Sequence, residues 1–272
     1  MEWFRRWFGE DYLLVYRHRD EEEAERDIEF AGLALGLARD ALVLDLCCGT
    51  GRHSRALTRR GYRAVGLDFS GVLLLEALSS GKNEGPPPRY VLGDARALPF
   101  REGVFDAVLN LFTSFGYFEH RENCAMLGDI ARVLAQDGSF FIDYLNPCRV
   151  ETSLSPETVR ECGGSIIRER RTIDPETRRV EKSIFICAKS GTGEEREYRE
   201  SVRLYTLSEM NAMLAVAGLV LEGTAGSMEG APFDGESERM VLWGKKGGGR
   251  SDEAEDPALL SFAPDSTRKI NS

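Results

Sequence analysis

Asp45, Asp68 and Asp94 each close a short apolar run, in "LVLD", "AVGLD" and "YVLGD". A carboxylate accepts hydrogen bonds and attracts cations, so three of them at successive run ends make a rim suited to hydroxyls, an amino group and positive charge. Two glycines follow the first acid in "LDLCCGTG", and Gly49 and Gly51 let a flat ligand approach backbone that a Cβ would fend off. The dinucleotide fingerprint G-x-G-x-x-G is incomplete, because Ser54 stands at its third position. The acid before the glycines repels a diphosphate, whereas a ligand with an ammonium group and a sulfonium centre is drawn to it. A nicotinamide-linked oxidoreductase is the alternative for this turn. A non-catalytic module that merely holds such a ligand is another, since a cradle and a chemistry are separate questions.

Spacing sharpens the picture. Asp68 lies 17 residues past Gly51, where a carboxylate can accept both hydroxyls of a ribose. Asp94, in "GDARALPF", is placed for an adenine amino group, with the Ala95 amide toward the ring nitrogen. Cys47 and Cys48 are neighbours in a tight turn, a poor arrangement for a disulfide, and read as small buried filler. The three histidines, His18, His53 and His120, have no acid at ligand spacing, so no metal site is expected.

These residues need a scaffold of alternating strands and helices. "ALVLDL", "YRAVGLD", "RYVLGDA", "VFDAVLNLF" and "SFFIDYL" read as strands, with helices at "SRALTRRG", "GVLLLEALSSG" and "CAMLGDIARVLAQDG". Such interleaving implies an α/β fold with a mainly parallel sheet covered on both faces, which binds ligands at the carboxyl ends of its strands. One or two amphipathic helices precede it, from about Asp11 to Leu37. The rhythm breaks over residues 156–206, where "SIIRERRTID", "RRVEKSIFICAKS" and "EREYRESVRLYT" predict a small inserted antiparallel sheet. "TLSE" then predicts a capping box opening a helix that Gly218 closes, and "LVLEGTA" and "RMVLWGK" predict an antiparallel edge hairpin with a short connection.

The chain has 272 residues, enough for one large domain over 1–246, and a polar, acidic stretch over 247–272 reads as a disordered tail. No apolar run reaches the ~18 to 20 residues that cross a bilayer, so no membrane association is expected. Six cysteines without C-x-x-C spacing fit a reducing cytoplasm. The net charge of −10 disfavours unspecific adhesion to nucleic acid.

Together, "VLDLCCGTG", "AVGLDFS", "GDARALPF" and "FDAVLNLFTSFGYF" resemble the class I S-adenosylmethionine-dependent methyltransferases, over about Asp11 to Lys246. The resemblance implies a Rossmann-like sheet of seven strands, mostly parallel with an antiparallel last hairpin. It implies that Asp45, Gly49 and Gly51 border the methionine part of the cofactor, Asp68 and Phe69 the ribose, Asp94 and Ala95 the adenine. Asn110, Leu111 and Phe112 would form the wall beneath the sulfonium. Helices within 11–40 would fold over the cofactor, with Arg19 toward the methionine carboxylate and Tyr16 or His18 toward the acceptor. Tyr117, in "TSFGYF", follows the fourth strand, where the methyl group should emerge. Asn146, in "LNPC", resembles the Asn-Pro signature of adenine and glutamine methyltransferases, although it follows the fifth strand rather than the fourth. The expected reaction is in-line methyl transfer to a small-molecule acceptor, leaving S-adenosylhomocysteine, with RNA, especially transfer RNA, as the alternative acceptor. The inserted sheet is the candidate for acceptor selection or for a homodimer contact.

Overall fold

In the computed structural model, which describes residues 2–17, 19–80, 87–190 and 194–248, the alternating pattern becomes an alternation of strands and helices. Three N-terminal helices come first: α1 (Phe4–Trp7), α2 (Glu10–Val15) and α3 (Glu21–Leu35). The chain then runs β1 (Leu42–Leu46), α4 (Arg52–Arg59), β2 (Arg63–Asp68), α5 (Gly71–Ser80), β3 (Arg89–Leu92), β4 (Phe105–Asn110), α6 (His120–Val133), β5 (Leu134–Leu145) and α7 (Pro147–Ser153). The insertion is β6 (Glu157–Cys162), β7 (Ser165–Asp174), β8 (Arg179–Ala188) and β9 (Arg196–Arg203). α8 (Leu207–Val216), β10 (Leu219–Ala225) and β11 (Arg239–Lys246) complete the fold.

Seven strands pair in the order β10-β11-β5-β4-β1-β2-β3, and four more form a separate sheet, β6-β7-β8-β9. In the large sheet β1 to β5 are parallel, while β11 runs antiparallel to β5 and β10 antiparallel to β11. β1 lies between β2 and β4, so the strand order reverses beside it and opens a crevice at its carboxyl end. Central strands are apolar on both sides because helices cover both faces, and Leu44, Leu46, Val108 and Phe140 are buried.

Local signals explain the helix ends. Asp20 caps α3 by accepting the Glu23 amide at 2.8 Å, and Gly36 ends it with a left-handed φ of 59°. The Thr206–Glu209 capping box opens α8, with the Glu209 amide donating to the Thr206 hydroxyl and the Thr206 amide to the Glu209 carboxylate. The acidic run of α3 faces the arginines of α4: Arg55 and Arg59 both reach Glu21, at 2.5 and 2.7 Å, and Arg60 reaches Glu29 at 3.1 Å.

Four expectations are corrected. The sixth helix stops at Val133 rather than running to Gly138, because Leu134 already pairs with Phe105 at the foot of β4; over so few residues helical and strand periodicities coincide. The insertion has four strands, not three. β6 escaped notice because it is a polar edge strand whose Val159 is 62% exposed. A short helix, α1, precedes the expected pair, too short for periodicity to reveal. Finally, the hairpin connection spans residues 226–238, held by a Gly226 amide to Ala231 carbonyl bond and one from Arg239 back to Gly226. The predicted tail falls almost wholly on residues 249–272, outside the described residues, as does His18.

The N-terminal helices are fastened to the inserted sheet by a core of their own. Trp7 and Val15 bury against Ile167, Ile184 and Ile186, each full burial worth roughly 1.5–3 kcal/mol. Polar anchors complete it: Trp7 donates through Nε1 to Glu200 at 2.6 Å, and Arg160 donates to the Val15 carbonyl at 2.6 Å.

Candidate active site

The turn after β1 packs three left-handed residues into five positions, with φ of 63° at Cys47, 54° at Gly49 and 73° at Gly51. Glycine adopts this region without strain. A Cβ on Gly51 would lie 2.2 Å from the Tyr90 hydroxyl oxygen, so that glycine serves packing, whereas one on Gly49 would meet nothing nearer than Leu73 Cδ1 at 4.0 Å. Gly49 therefore leaves open space on the cleft side. Asp45 is buried at the end of β1 and accepts the Ser54 hydroxyl at 2.6 Å, which ties the strand to the first turn of α4.

Asp68 is buried too. One carboxylate oxygen accepts the Gly49 amide at 2.9 Å, the other the Ser70 amide at 2.8 Å. Burial nonetheless pushes its carboxyl up to about 6, against the pull of those amides, with the Asp45 charge adding to the rise. Burial also raises the Asp45 carboxyl. The Cys47 thiol is raised by burial first and then by Asp68, Asp45 and Asp94, so all three acids converge on this turn. Among the described residues, neither Asp45 nor Asp68 forms an ion pair with a cationic side chain. Asp45 feels the charges of His53 and Arg52 without contacting either, and two desolvated carboxylates with no paired cation are poised for a ligand that brings one, a requirement that the ammonium and sulfonium of S-adenosylmethionine fit.

A cleft of about 620 Å³ opens over the turn, lined among others by Tyr16, Arg19, Asp45, Gly49, Leu111 and Phe112. The remaining predicted cofactor residues are outside its lining. Phe69 lies under Phe4 and Phe8, with ring centroids 5.5 and 5.7 Å away. Asp94 is held by the Arg96 guanidinium at 2.7 Å, which keeps its carboxyl below the usual range, and Arg5 of α1 stands 4.0 Å from it. Ala95 is buried beside it. Asn110 is buried at the end of β4; its amide donates to the Leu46 carbonyl at 3.1 Å, and its Oδ1 has no partner. α1 thus roofs the positions expected to hold adenosine, and the Ser70 hydroxyl fastens it by donating to the Phe8 carbonyl at 2.6 Å. Arg19 pairs with Glu23 and lies over the Phe112 ring, 4.2 Å from its centroid.

A second cleft, of about 460 Å³, lies between the large sheet and the inserted one. Tyr12, Tyr16, Arg19 and Phe112 line both clefts and form the wall between them. Tyr117 is in the second cleft, edge-on to Trp3 at 5.1 Å, and burial first, then Glu200, raises its phenol well above the usual value. Tyr16 is also kept protonated by burial and by Glu200; its hydroxyl accepts from Lys182 at 2.6 Å and donates to Glu200 at 3.0 Å. Asn146 lies in neither cleft. It caps α7, and its side-chain amide donates to the carbonyls of Asp234, Gly235 and Ser237 at 2.7–3.3 Å, so the Asn-Pro likeness marks a structural anchor here.

Sequence reasoning missed Lys182, Glu200, Arg179 and the Asp143–Arg239 pair. Strand alternation places Lys182 and Glu200 opposite one another on adjacent strands, but nothing in one strand says which face meets the large domain. Asp143 accepts the Phe112 amide at 2.9 Å and the Arg239 guanidinium at 2.6 Å, and Arg239 also donates to the Thr113 hydroxyl at 2.5 Å. These bonds hold Phe112 and Thr113 left-handed, with φ of 57° and 54°. Among the described residues no group of three His, Cys, Asp or Glu side chains is arranged to hold a metal ion.

Residues 43–138 match the model of a methyltransferase domain. Over 203 residues the chain is 32% identical to the cypemycin N-terminal methyltransferase of a Streptomyces species, covering 74% of this chain and 81% of that protein. It is 27% identical over 227 residues to the dTDP-3-amino-3,4,6-trideoxy-alpha-D-glucopyranose N,N-dimethyltransferase of Streptomyces venezuelae, covering 80% and 92%. Matches to bacterial demethylmenaquinone methyltransferases span less than half of those proteins, 45% for that of Thermus thermophilus. The fold matches that of the CcbJ methyltransferase from Streptomyces caelestis with a TM-score of 0.72 at 22% identity, over 82% of this chain and 90% of that one. With that sheet, that domain match and a relative covered over most of its length, the chain belongs to the class I S-adenosylmethionine-dependent methyltransferases.

Proposed function

We propose that the first cleft takes the methionine end of S-adenosylmethionine and that the second takes a small-molecule acceptor, with the methyl group crossing the wall at Tyr16 and Phe112. The carrying observation is that two clefts share that one wall. In this reading Asp45 and Gly49 border the amino-acid part, Asp68 and Phe69 the ribose, Asp94 and Ala95 the adenine once α1 yields, and Asn110 to Phe112 the floor under the sulfonium. Gly51 shapes the turn, and Arg19 turns from Glu23 to the methionine carboxylate.

The acceptor atom is an amine nitrogen. Its lone pair forms the N–C bond as the C–S bond breaks, sulfur keeps the electron pair, and the methylated ammonium loses its proton to water. The relatives named for N-terminal and N,N-dimethyl transfer support this choice. Alignment and exclusion of water supply the catalysis, because the sulfonium is already electrophilic. Tyr16 and Tyr117 act as neutral hydroxyls and aromatic faces rather than as bases. Six unpaired cysteines, with no described helix long and apolar enough to cross a membrane, support a reducing cytoplasm as its place. The outer face of the inserted sheet, around exposed Val159, is the candidate homodimer surface.

Incubating the purified protein with methyl-labelled S-adenosylmethionine and panels of amines, carboxylates, phenols and RNA tests the reading. Label is expected on an amine. Label on RNA alone, with salt-sensitive RNA binding, would replace it with the RNA alternative.

A further inference from the structure

Alternation and register put Arg160, Glu169, Arg171, Lys182 and Glu200 on one face of the inserted sheet, with Lys182 opposite both Arg171 and Glu200, and Glu169 opposite Ile184. That face, together with Arg239 of β11, lines the second cleft across from an apolar floor of Leu145, Val150 and Leu154. The charges there do not cancel. Lys182 pairs with Glu200, and Arg239 with Asp143, but Arg160 and Arg171 share the single carboxylate of Glu169. On that face one positive charge is left over, and it resides on that arginine pair; Arg19, which also lines the cleft, shares Glu23 with Arg52.

The signs are also layered. The side chains of Glu169 and Asp143 are only 8% exposed, whereas those of Arg160, Arg171 and Arg239 are 34%, 22% and 23% exposed. Around these arginines the carboxylates are the more deeply buried partners, whereas Lys182 and Glu200 are exposed alike, at 15% and 17%, so a molecule beside Arg160, Arg171 and Arg239 meets positive charge first. Burial works against ionisation of Glu169, yet Lys182, Arg171 and Arg160 hold its carboxyl below the usual range, so the shared anion stays ionised.

We propose that the methyl acceptor carries an anionic group, a carboxylate or a phosphate, that binds between Arg160 and Arg171. The inference rests on the second cleft being the acceptor site. The inserted sheet then selects the acceptor by charge, and guanidinium forks suit both kinds of anion.

The test is calorimetry on the full chain saturated with S-adenosylhomocysteine, titrated with inorganic pyrophosphate and, separately, with succinate at fixed ionic strength. Saturable binding of one of the two is expected, and the one that binds names the anion class. Arg160→Gln should weaken it about tenfold or more, Glu169→Gln should tighten it by removing the competing carboxylate, and Arg168→Gln should leave it unchanged. Arg168 is a control because it pairs with Glu195 and lies over Phe185, outside the second cleft's lining. If Arg160→Gln fails to fold, the sign of the Glu169→Gln effect decides alone. No saturable binding of either anion, weakening by Glu169→Gln, or an equal loss in Arg168→Gln overturns the proposal. A neutral amine methylated by the wild type as fast as amines that carry a carboxylate or phosphate would overturn it while leaving the amine-methyltransferase reading intact, whereas no methylation of any amine would bring down that reading itself.

Discussion

The Asp68 carboxylate accepts the Gly49 amide at 2.9 Å, so the end of β2 is tied directly to the glycine turn that follows β1. One acid both shapes the turn and faces the place expected for the ribose. A carboxylate has about four lone-pair sites, and the amides of Gly49 and Ser70 use two. Asp68→Ala is therefore expected to weaken S-adenosylhomocysteine by about one to three orders of magnitude. Isothermal calorimetry measures it, and unchanged affinity removes Asp68 from the ribose.

The same residue sets a pH dependence. Its carboxyl ionises near 3.8 ordinarily and is raised to about 6 in the fold. Between those values the folded protein keeps a proton that the unfolded chain has released. Stability from this group is full below the lower value and falls by about 3 kcal/mol as pH rises through the upper one. Cofactor binding runs oppositely, because the ionised carboxylate is free to accept both ribose hydroxyls. Affinity for S-adenosylmethionine should rise as pH passes 6, and Asp68→Asn should flatten the profile.

Tyr16 remains protonated between Lys182 and Glu200. Tyr16→Phe should cost no more than about tenfold in turnover and leave the pH–rate profile in place, whereas loss of a general base costs 10²- to 10⁴-fold. A shifted profile in steady-state kinetics would restore Tyr16 as a base.

Arg179 fastens the loop that presents Tyr117. It donates to the carbonyls of Gly116, Tyr117 and Phe118 at 3.2, 2.8 and 3.2 Å, and to the Ser201 hydroxyl at 2.6 Å. Arg179→Ala should lower turnover by about tenfold or more with calorimetric affinity for S-adenosylhomocysteine intact. Equal losses in both would place its role in the fold at large.

Left-handed Phe112 and Thr113 carry a conformational cost of roughly 1–2 kcal/mol each, met by the Asp143–Arg239 clamp. Arg239→Met leaves the Asp143 carboxylate buried without its cation, so urea unfolding should register a loss of about 3 kcal/mol. Turnover should fall with it, as the wall between the clefts loosens.

The strand-end acids and the glycine turn were legible in the sequence because they depend on local rules: a run of apolar residues, an acid at its end, glycines where φ turns positive. The parallel sheet and its closing antiparallel hairpin followed from the same alternation. The four-residue helix α1, the edge strand β6 and the early end of α6 escaped, since each is too short or too polar for periodicity to speak. Asn146 misled for a related reason: a dipeptide signature carries no information about which carbonyls its amide will meet. What only the tertiary structure decided is the second cleft. Lys182, Glu200 and Arg160 lie far along the chain from Tyr16 and Phe112, and they meet because the inserted sheet buries Ile167, Ile184 and Ile186 against Trp7 and Val15. Burial of apolar surface is non-directional, so no local pattern could say which face of that sheet would turn inward and bring its charges to the wall.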